Sequence, residues 1–243
     1  MRNAPSWQPS KFVHRGGRLR ASHDRNELGI GSRLVADLVA ASYERHLPQH
    51  ARGRLLDLGC GKVPLYGAYR ALATEVSCVD WQDDQHVDLV CDLSLPLPLA
   101  DGAFDTLIVS DVIEHLPDPA LAWREMARLL APGGSLLLNV PFLYPIHAHP
   151  HDHFRYTCFA LERFARDSGL ELRLLEPLGG LIEVLADTFG KVLARLPLLG
   201  APLAAAQQAL ALSFARSSPG RRLLAATARN YPLGYFLIAV RPA

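Results

Sequence analysis

The sequence predicts an α/β protein built on a parallel sheet, and two observations carry that expectation. Strand-length apolar runs alternate with helix-spaced runs between residues 54 and 139, and strands separated by helices pair in parallel through right-handed crossovers. The run Leu55-Leu56-Asp57-Leu58-Gly59-Cys60-Gly61-Lys62-Val63-Pro64 reads as a strand, a carboxylate at its end, two glycines one residue apart and a proline opening a helix. Glycine lets the backbone turn with positive φ and brings main-chain N–H groups close to a ligand. Such a unit builds a nucleotide site at the carboxyl edge of the sheet.

The chain of 243 residues is long enough for one large domain with a sizeable core. Its net charge of +1 gives no global field toward nucleic acid, which is not an expected partner. Cys60, Cys78, Cys91 and Cys158 form no CxxC pair. They read as reduced thiols of a cytoplasmic protein, in line with an N-terminus that carries no signal-peptide h-region.

Taken in order, residues 1–30 form a basic arm, and residues 1–25 set Arg2, Lys11, Arg15, Arg18, Arg20 and Arg25 against Asp24 alone. A solvated arm is expected; a lid or anion-binding segment is the sharper alternative, supported by Trp7 and Phe12. The main domain then occupies residues 31–243. Leu34, Val35, Leu38, Val39 and Tyr43 fall at helical spacing behind Ser32 as N-cap. Strands are expected at 54–58, 75–80, 87–93, 106–110, 135–139, 169–176 and 235–240. Helices are expected at 65–73, 120–130 and 157–167, with Pro132-Gly133-Gly134 stopping the second and Thr157 capping the third. Residues 178–230 form a helical insertion. Within it residues 196–215 carry no charge, but Pro197, Gly200, Pro202, Gln207 and Gln208 argue against a membrane span. A lid over the substrate site or a homodimer surface is preferred to an interfacial membrane contact, which Arg216, Arg221 and Arg222 would favour.

Asp57, facing a pyrophosphate badly, suits an amino-acid ammonium. Asp80 lies about 20 residues beyond the first acid, the spacing of a ribose-binding carboxylate, and Trp81 follows it to lie against an adenine. A dinucleotide fingerprint would need a third glycine where Pro64 stands, which disfavours an NAD dehydrogenase.

Leu55–Gly61 resembles motif I of the class I S-adenosylmethionine (SAM) methyltransferases, with Val63 where that family usually has a further glycine. Residues 97–139 resemble the family's central block: a proline-rich turn to Phe104-Asp105, a strand, Glu114-His115-Leu116, a helix, Pro132-Gly133-Gly134 and another strand. The resemblance spans about residues 32–175. It implies a Rossmann-like, doubly wound sheet of seven strands whose last strand is antiparallel. It also implies a SAM site in which Asp57, Gly59, Cys60 and Gly61 meet the methionine end, Asp80 the ribose, and Trp81, Asp92 and Leu93 the adenine, with Ser110 beside them.

Beyond the cofactor, His147, His149, His151 and His153 alternate in a proline-bearing loop after the fifth strand. A hydroxyl nucleophile must lose its proton, and histidine suits that task; His153, His151 and His115 are the candidates, in that order. Arg155 either orients an anionic substrate or pairs with Asp152 or Glu162. Asp111, Glu114 and His115, with the later Asp152-His153, are similar to the small-RNA 3′-terminal 2′-O-methyltransferases, where two glutamates and two histidines hold a metal. Ubiquinone-biosynthesis O-methyltransferases resemble the chain in the same Glu-His region and use a divalent metal. That resemblance implies Asp111, Glu114, His115 and His153 as metal ligands; the competing reading has no metal, with Glu114 or His115 shaping the SAM pocket. The expected function is SAM-dependent O-methylation of a small-molecule or glycan hydroxyl. The alternatives are a metal-assisted sugar or ribose 2′-O-methyltransferase and a non-catalytic SAM-binding protein. His153→Ala separates these last: an enzyme keeps SAM affinity and loses rate.

Overall fold

The computed structural model describes all residues, Met1–Ala243. Seven strands form the main sheet: β3 (Arg54–Leu58), β4 (Glu75–Asp80), β5 (Leu89–Val90), β6 (Phe104–Ser110), β7 (Leu130–Pro141), β8 (Glu171–Leu178) and β9 (Gly234–Val240). Their order is β5-β4-β3-β6-β7-β9-β8. β3 pairs in parallel with β4 and β6, and β6 with β7, whereas β9 runs antiparallel to both β7 and β8. This is the seven-stranded Rossmann-like sheet with an antiparallel last strand that the sequence implied.

Strand alternation sends side chains to two cores. Leu56, Leu107, Leu136, Leu138 and Leu237 face one cluster, which holds Trp123, Met126 and Leu129 of α3 (Pro119–Leu129) and Leu161 and Ala165 of α4 (Cys158–Asp167). Leu55, Ile108, Leu137, Phe236 and Ile238 face the other, filled by Val39, Ala40, Tyr43 and Leu47 of α1 (Arg33–His50). A parallel sheet covered on both faces reads as near-continuous apolar runs, which is why these strands were legible. Asp118 caps α3 through a bond from the Leu121 N–H (3.0 Å), and Thr157 caps α4 from the Ala160 N–H (3.2 Å).

Several expectations change. The arm is not solvated: β1 (Phe12–Arg15) and β2 (Arg18–Ala21) form a hairpin about Gly16-Gly17, both at positive φ. Phe12, 1% exposed, packs with Leu19 and Ala21 in the α1-side core. Glu44 and Asp37 of α1 accept the Leu19 and Ala21 N–H groups at 2.7 and 2.8 Å. Trp7 meets Tyr66 edge-on at 5.3 Å and donates from Nε1 to the Val63 carbonyl. Ser32 makes no capping bond; it closes a 3-10 turn and its hydroxyl lies 3.5 Å from that of Tyr144. The helix expected at 65–73 contracts to α2 (Tyr66–Tyr69), because the chain turns back for Thr74 N–H to reach the Gly53 carbonyl. The strand expected at 87–93 keeps two residues, since Asp92 binds Ser94 in a turn that ends pairing at the sheet edge.

The insertion is helical, as expected: α5 (Leu181–Leu193), α6 (Gly200–Arg216) and α7 (Ser218–Thr227). No helix is long and apolar enough to cross a membrane.

Candidate active site

Two adjoining cavities open at the carboxyl edge of the sheet. The larger, about 520 Å³, is lined by Gly59 after β3, Asp80 and Trp81 at the end of β4, Val90 of β5 and residues 91–94 after it, Asp111 and Val112 after β6, and His115, His151 and His153. The smaller, about 220 Å³, has apolar walls of Val35, Val39, Leu178 and Leu233 and a polar side of Lys11, Asp111, His115, Asn139, Tyr144 and His147. Asp111 and His115 line both.

The glycine turn shapes the larger cavity. Gly59 has φ +73°, and a Cβ there would stand 2.5 Å from Val112 Cγ2, so only glycine fits. Gly61 has φ +51° with open space around it, and its N–H donates to Asp80 Oδ2 at 2.8 Å. Val63 stands at φ +52° and is fully buried; the left-handed backbone there explains why a glycine would be at home in that place.

Of the expected cofactor residues, Gly59, Asp80, Trp81, Asp92 and Leu93 lie on the larger cavity. Asp80 takes N–H bonds from Gly61 and Gln82, which fix its carboxylate while leaving lone pairs for a ligand. Ser94 hydroxyl and N–H bonds hold the Asp92 carboxyl below its ordinary value. Trp81 is 56% exposed and meets His151 edge-on at 5.2 Å. Asp57, Cys60, Gly61 and Ser110 are not on that wall. Asp57 is buried beneath the turn, where its Oδ2 accepts the Tyr69 hydroxyl at 2.6 Å. Burial raises its carboxyl to about 7, Asp80 adding to the rise and the Tyr69 bond opposing it.

The histidine loop is tied to the turn after β6. Both His153 and Phe154 N–H groups donate to the Glu114 carbonyl, and the Tyr156 hydroxyl donates to that of Ile113. His115 Nδ1 lies 3.0 Å from the His151 carbonyl. A carbonyl can only accept, so Nδ1 is the donor in this contact. His151 and His153 line only the larger cavity. Arg155 grips Asp152 through two bonds of 2.6 and 2.7 Å, holding that carboxyl well below its usual range. It takes the structural partner, Asp152, rather than Glu162.

The implied metal set does not assemble as expected. Asp111 is engaged by Lys11 Nζ at 2.8 Å and Asn139 Nδ2 at 2.6 Å, and His153 stands apart. Instead Glu114, His115 and His147 bring one ligand atom each to within 4.8 Å of one another. Glu114 is fully buried and neither carboxylate oxygen has a hydrogen-bond partner. Burial, then the Asp111 charge, pushes its carboxyl well above the ordinary value. A carboxylate oxygen beside two imidazoles is a donor set that fits a divalent ion.

Sequence reasoning did not single out Asn139 or Tyr144; it named Lys11 only as a basic residue of the arm and His147 only as one of the four alternating histidines. Asn139 closes the strand expected at 135–139, and that position was the available signal, although β7 runs on to Pro141. Nothing local announces that Lys11, on the arm, meets Asp111. Burial works against its charge, but the Asp111 charge and hydrogen bond, with Tyr144 and Glu114 nearby, together raise the ammonium's pKa.

Residues 56–138 match the family described as a methyltransferase domain. A ubiquinone biosynthesis O-methyltransferase of Xanthomonas euvesicatoria pv. vesicatoria (strain 85-10) is 34% identical over 106 residues, 37% of this chain. The chain spans 43% of that relative's length in the match. An S-adenosylmethionine-dependent methyltransferase from Mesorhizobium loti superposes with TM-score 0.55 at 17% identity, covering 86% of this chain and 100% of that one. The [4+2]-cyclase SpnF superposes with TM-score 0.56 at 19% identity, covering 97% and 87%. These likenesses at low identity are likenesses of fold.

Proposed function

We propose, from the premise that the chain carries a methyltransferase domain on the class I SAM-dependent fold, that it transfers the SAM methyl group to a hydroxyl of a small acceptor. One observation carries this reading: two cavities at the strand ends share Asp111 and His115 as a common wall. SAM takes the larger, with Asp80 accepting from the ribose hydroxyls and Asp92 facing the adenine. The acceptor takes the smaller, its apolar part against Val35, Val39, Leu178 and Leu233. In-line approach supplies most of the rate, since the sulfonium is already an activated methyl donor. The O–CH3 bond forms as the S–CH3 bond breaks, and S-adenosylhomocysteine leaves. The hydroxyl proton passes to a histidine. His115 is favoured over His153 and His151 for this role because it alone of the three lines both cavities. The likeness to the Xanthomonas O-methyltransferase supports oxygen as the methylated atom. Four cysteines without disulfides support a cytoplasmic setting.

A second reading is favoured by Glu114. Its orphaned carboxylate with His115 and His147 would hold a divalent cation, and a bound cation supplies Lewis-acid polarisation of an acceptor oxygen. His147, whose ring burial lowers below its ordinary pKa, is then neutral and able to donate a lone pair.

The experiment is methyl transfer from labelled SAM to a panel of small hydroxylated acceptors, with and without EDTA, for the native chain and His115→Ala. The proposal expects transfer that His115→Ala slows at least about a hundredfold without changing S-adenosylhomocysteine affinity. Loss on EDTA, restored by a divalent metal, selects the second reading. Tight cofactor binding with no transfer to any acceptor speaks for a binding protein.

A further inference from the structure

From Thr188 to the C-terminus the chain has no Asp or Glu, and seven Lys and Arg residues fall in that stretch. The exposed apolar side chains of the insertion concentrate in the same region. Leu185, Phe189 and Val192 recur one turn apart on α5, and Leu203, Leu210 and Phe214 repeat along one stripe of α6. Between the helices, Leu196, Leu198 and Leu199 are exposed at the hairpin tip. Leu198 is 98% exposed and sits at φ +61°, a left-handed backbone that costs a leucine energy with no packing in return. The two acids of α5, Glu183 and Asp187, are buried; Glu183 accepts the Gly180 N–H, and Asp187 pairs with Lys191. Exposed Arg195 precedes the α6 stripe and exposed Arg216, Arg221 and Arg222 follow it.

We propose that the α5–α6 hairpin docks on an anionic phospholipid surface, its leucine tip and stripes entering the boundary between headgroups and acyl chains while the arginines meet lipid phosphates. Apolar stripes beside unopposed basic residues are what a helix lying in that interface needs. Charge selects this occupant over a second copy of the chain, because a self-paired patch would set arginines against arginines with no carboxylate to separate them. The hairpin lies on the bilayer rather than in it, as no helix here is able to span one.

The other side of the hairpin packs against the wall of the smaller cavity. The Lys191 ammonium lies 4.1 Å from the ring centre of Tyr144, a cavity residue, and Gln208 Nε2 lies 3.5 Å from the Gly31 carbonyl beside Ser32. Docking therefore holds that cavity close to the lipid surface, where an amphiphilic molecule partitions.

The test is co-sedimentation of the full chain with vesicles of phosphatidylcholine alone and of phosphatidylcholine mixed with phosphatidylglycerol. The proposal expects pelleting with the anionic vesicles, weak pelleting with the neutral ones, and release by salt. Arg221→Glu/Arg222→Glu should reduce partitioning by roughly fivefold or more for each arginine replaced, and Leu198→Ser/Leu210→Ser should reduce it with the charges intact. Circular dichroism melting shows that each variant folds, and the arginine variant keeps the test decisive should the leucine variant not fold. Absence of binding to anionic vesicles, or binding that neither variant weakens, overturns the proposal. So does a dimer in light scattering that Leu198→Ser dissociates, which would make the patch a contact between copies.

Discussion

Burial under the glycine turn holds the Asp57 carboxyl at about 7, far above an exposed aspartate. Between the two values the folded chain keeps a proton that the unfolded chain releases. Stability from this group is therefore present in acid and is lost as pH rises to about 7. Asp57→Asn, which keeps the shape and stays neutral, should remove this fall, on the order of 3 kcal/mol across the window; urea denaturation at pH 5 and pH 8 measures it. A variant with the native pH slope would mean that Asp57 is ionised when folded. Lys11 sets a different expectation. Lys11→Ala leaves Asp111 with Asn139 as partner and alters the wall between the cavities, but touches none of the proposed cofactor contacts. It should lower acceptor turnover by about tenfold or more while leaving S-adenosylhomocysteine affinity unchanged in calorimetry. Equal losses in both would place Lys11 in the structural support of the cofactor cavity instead.

The N-terminal hairpin is part of the core. Phe12 packs among the α1-side residues, and main-chain groups of β2 are satisfied by Glu44 and Asp37 of α1. Phe12→Ala should cost about 3–5 kcal/mol, read as a lowered denaturation midpoint at unchanged slope; a shift under about 0.5 kcal/mol would return this segment to the status of a loose arm. The element also shows where sequence reading stops. Its Gly16-Gly17 pair was a hairpin signal, but exposed arginines on both strands resembled a solvated tail. By contrast, β3 and β4 fall on their expected residues, because each carries a short buried apolar run with an acid at its ligand end, Asp57 and Asp80. The Asp80 position was legible for the same reason, whereas Asp92 lies in the turn beyond β5. The pairing of Lys11 with Asp111, and of His147 with Glu114 and His115, was not: each joins segments distant in sequence, and neither leaves a local pattern. The metal ligands implied by resemblance changed for that reason too, since Lys11 occupies the acid that would have served.

At the scale of the whole molecule, one sheet edge gathers a glycine turn from β3, acids from β4 and the turn after β5, a shared wall after β6, and a histidine loop bound back onto that wall. Lys11, just before the N-terminal hairpin, lines the smaller cavity, and Lys191 of α5 stands 4.1 Å from the ring centre of its Tyr144. The central claim is that the larger cavity is a SAM site anchored by Asp80. Calorimetric titration of S-adenosylhomocysteine into the full chain and into Asp80→Ala tests it most directly. The account predicts saturable one-to-one binding by the native chain, weakened in the variant by about 1–3 kcal/mol, or roughly 5- to 150-fold. No binding by the native chain, or equal affinity in the variant, would contradict it.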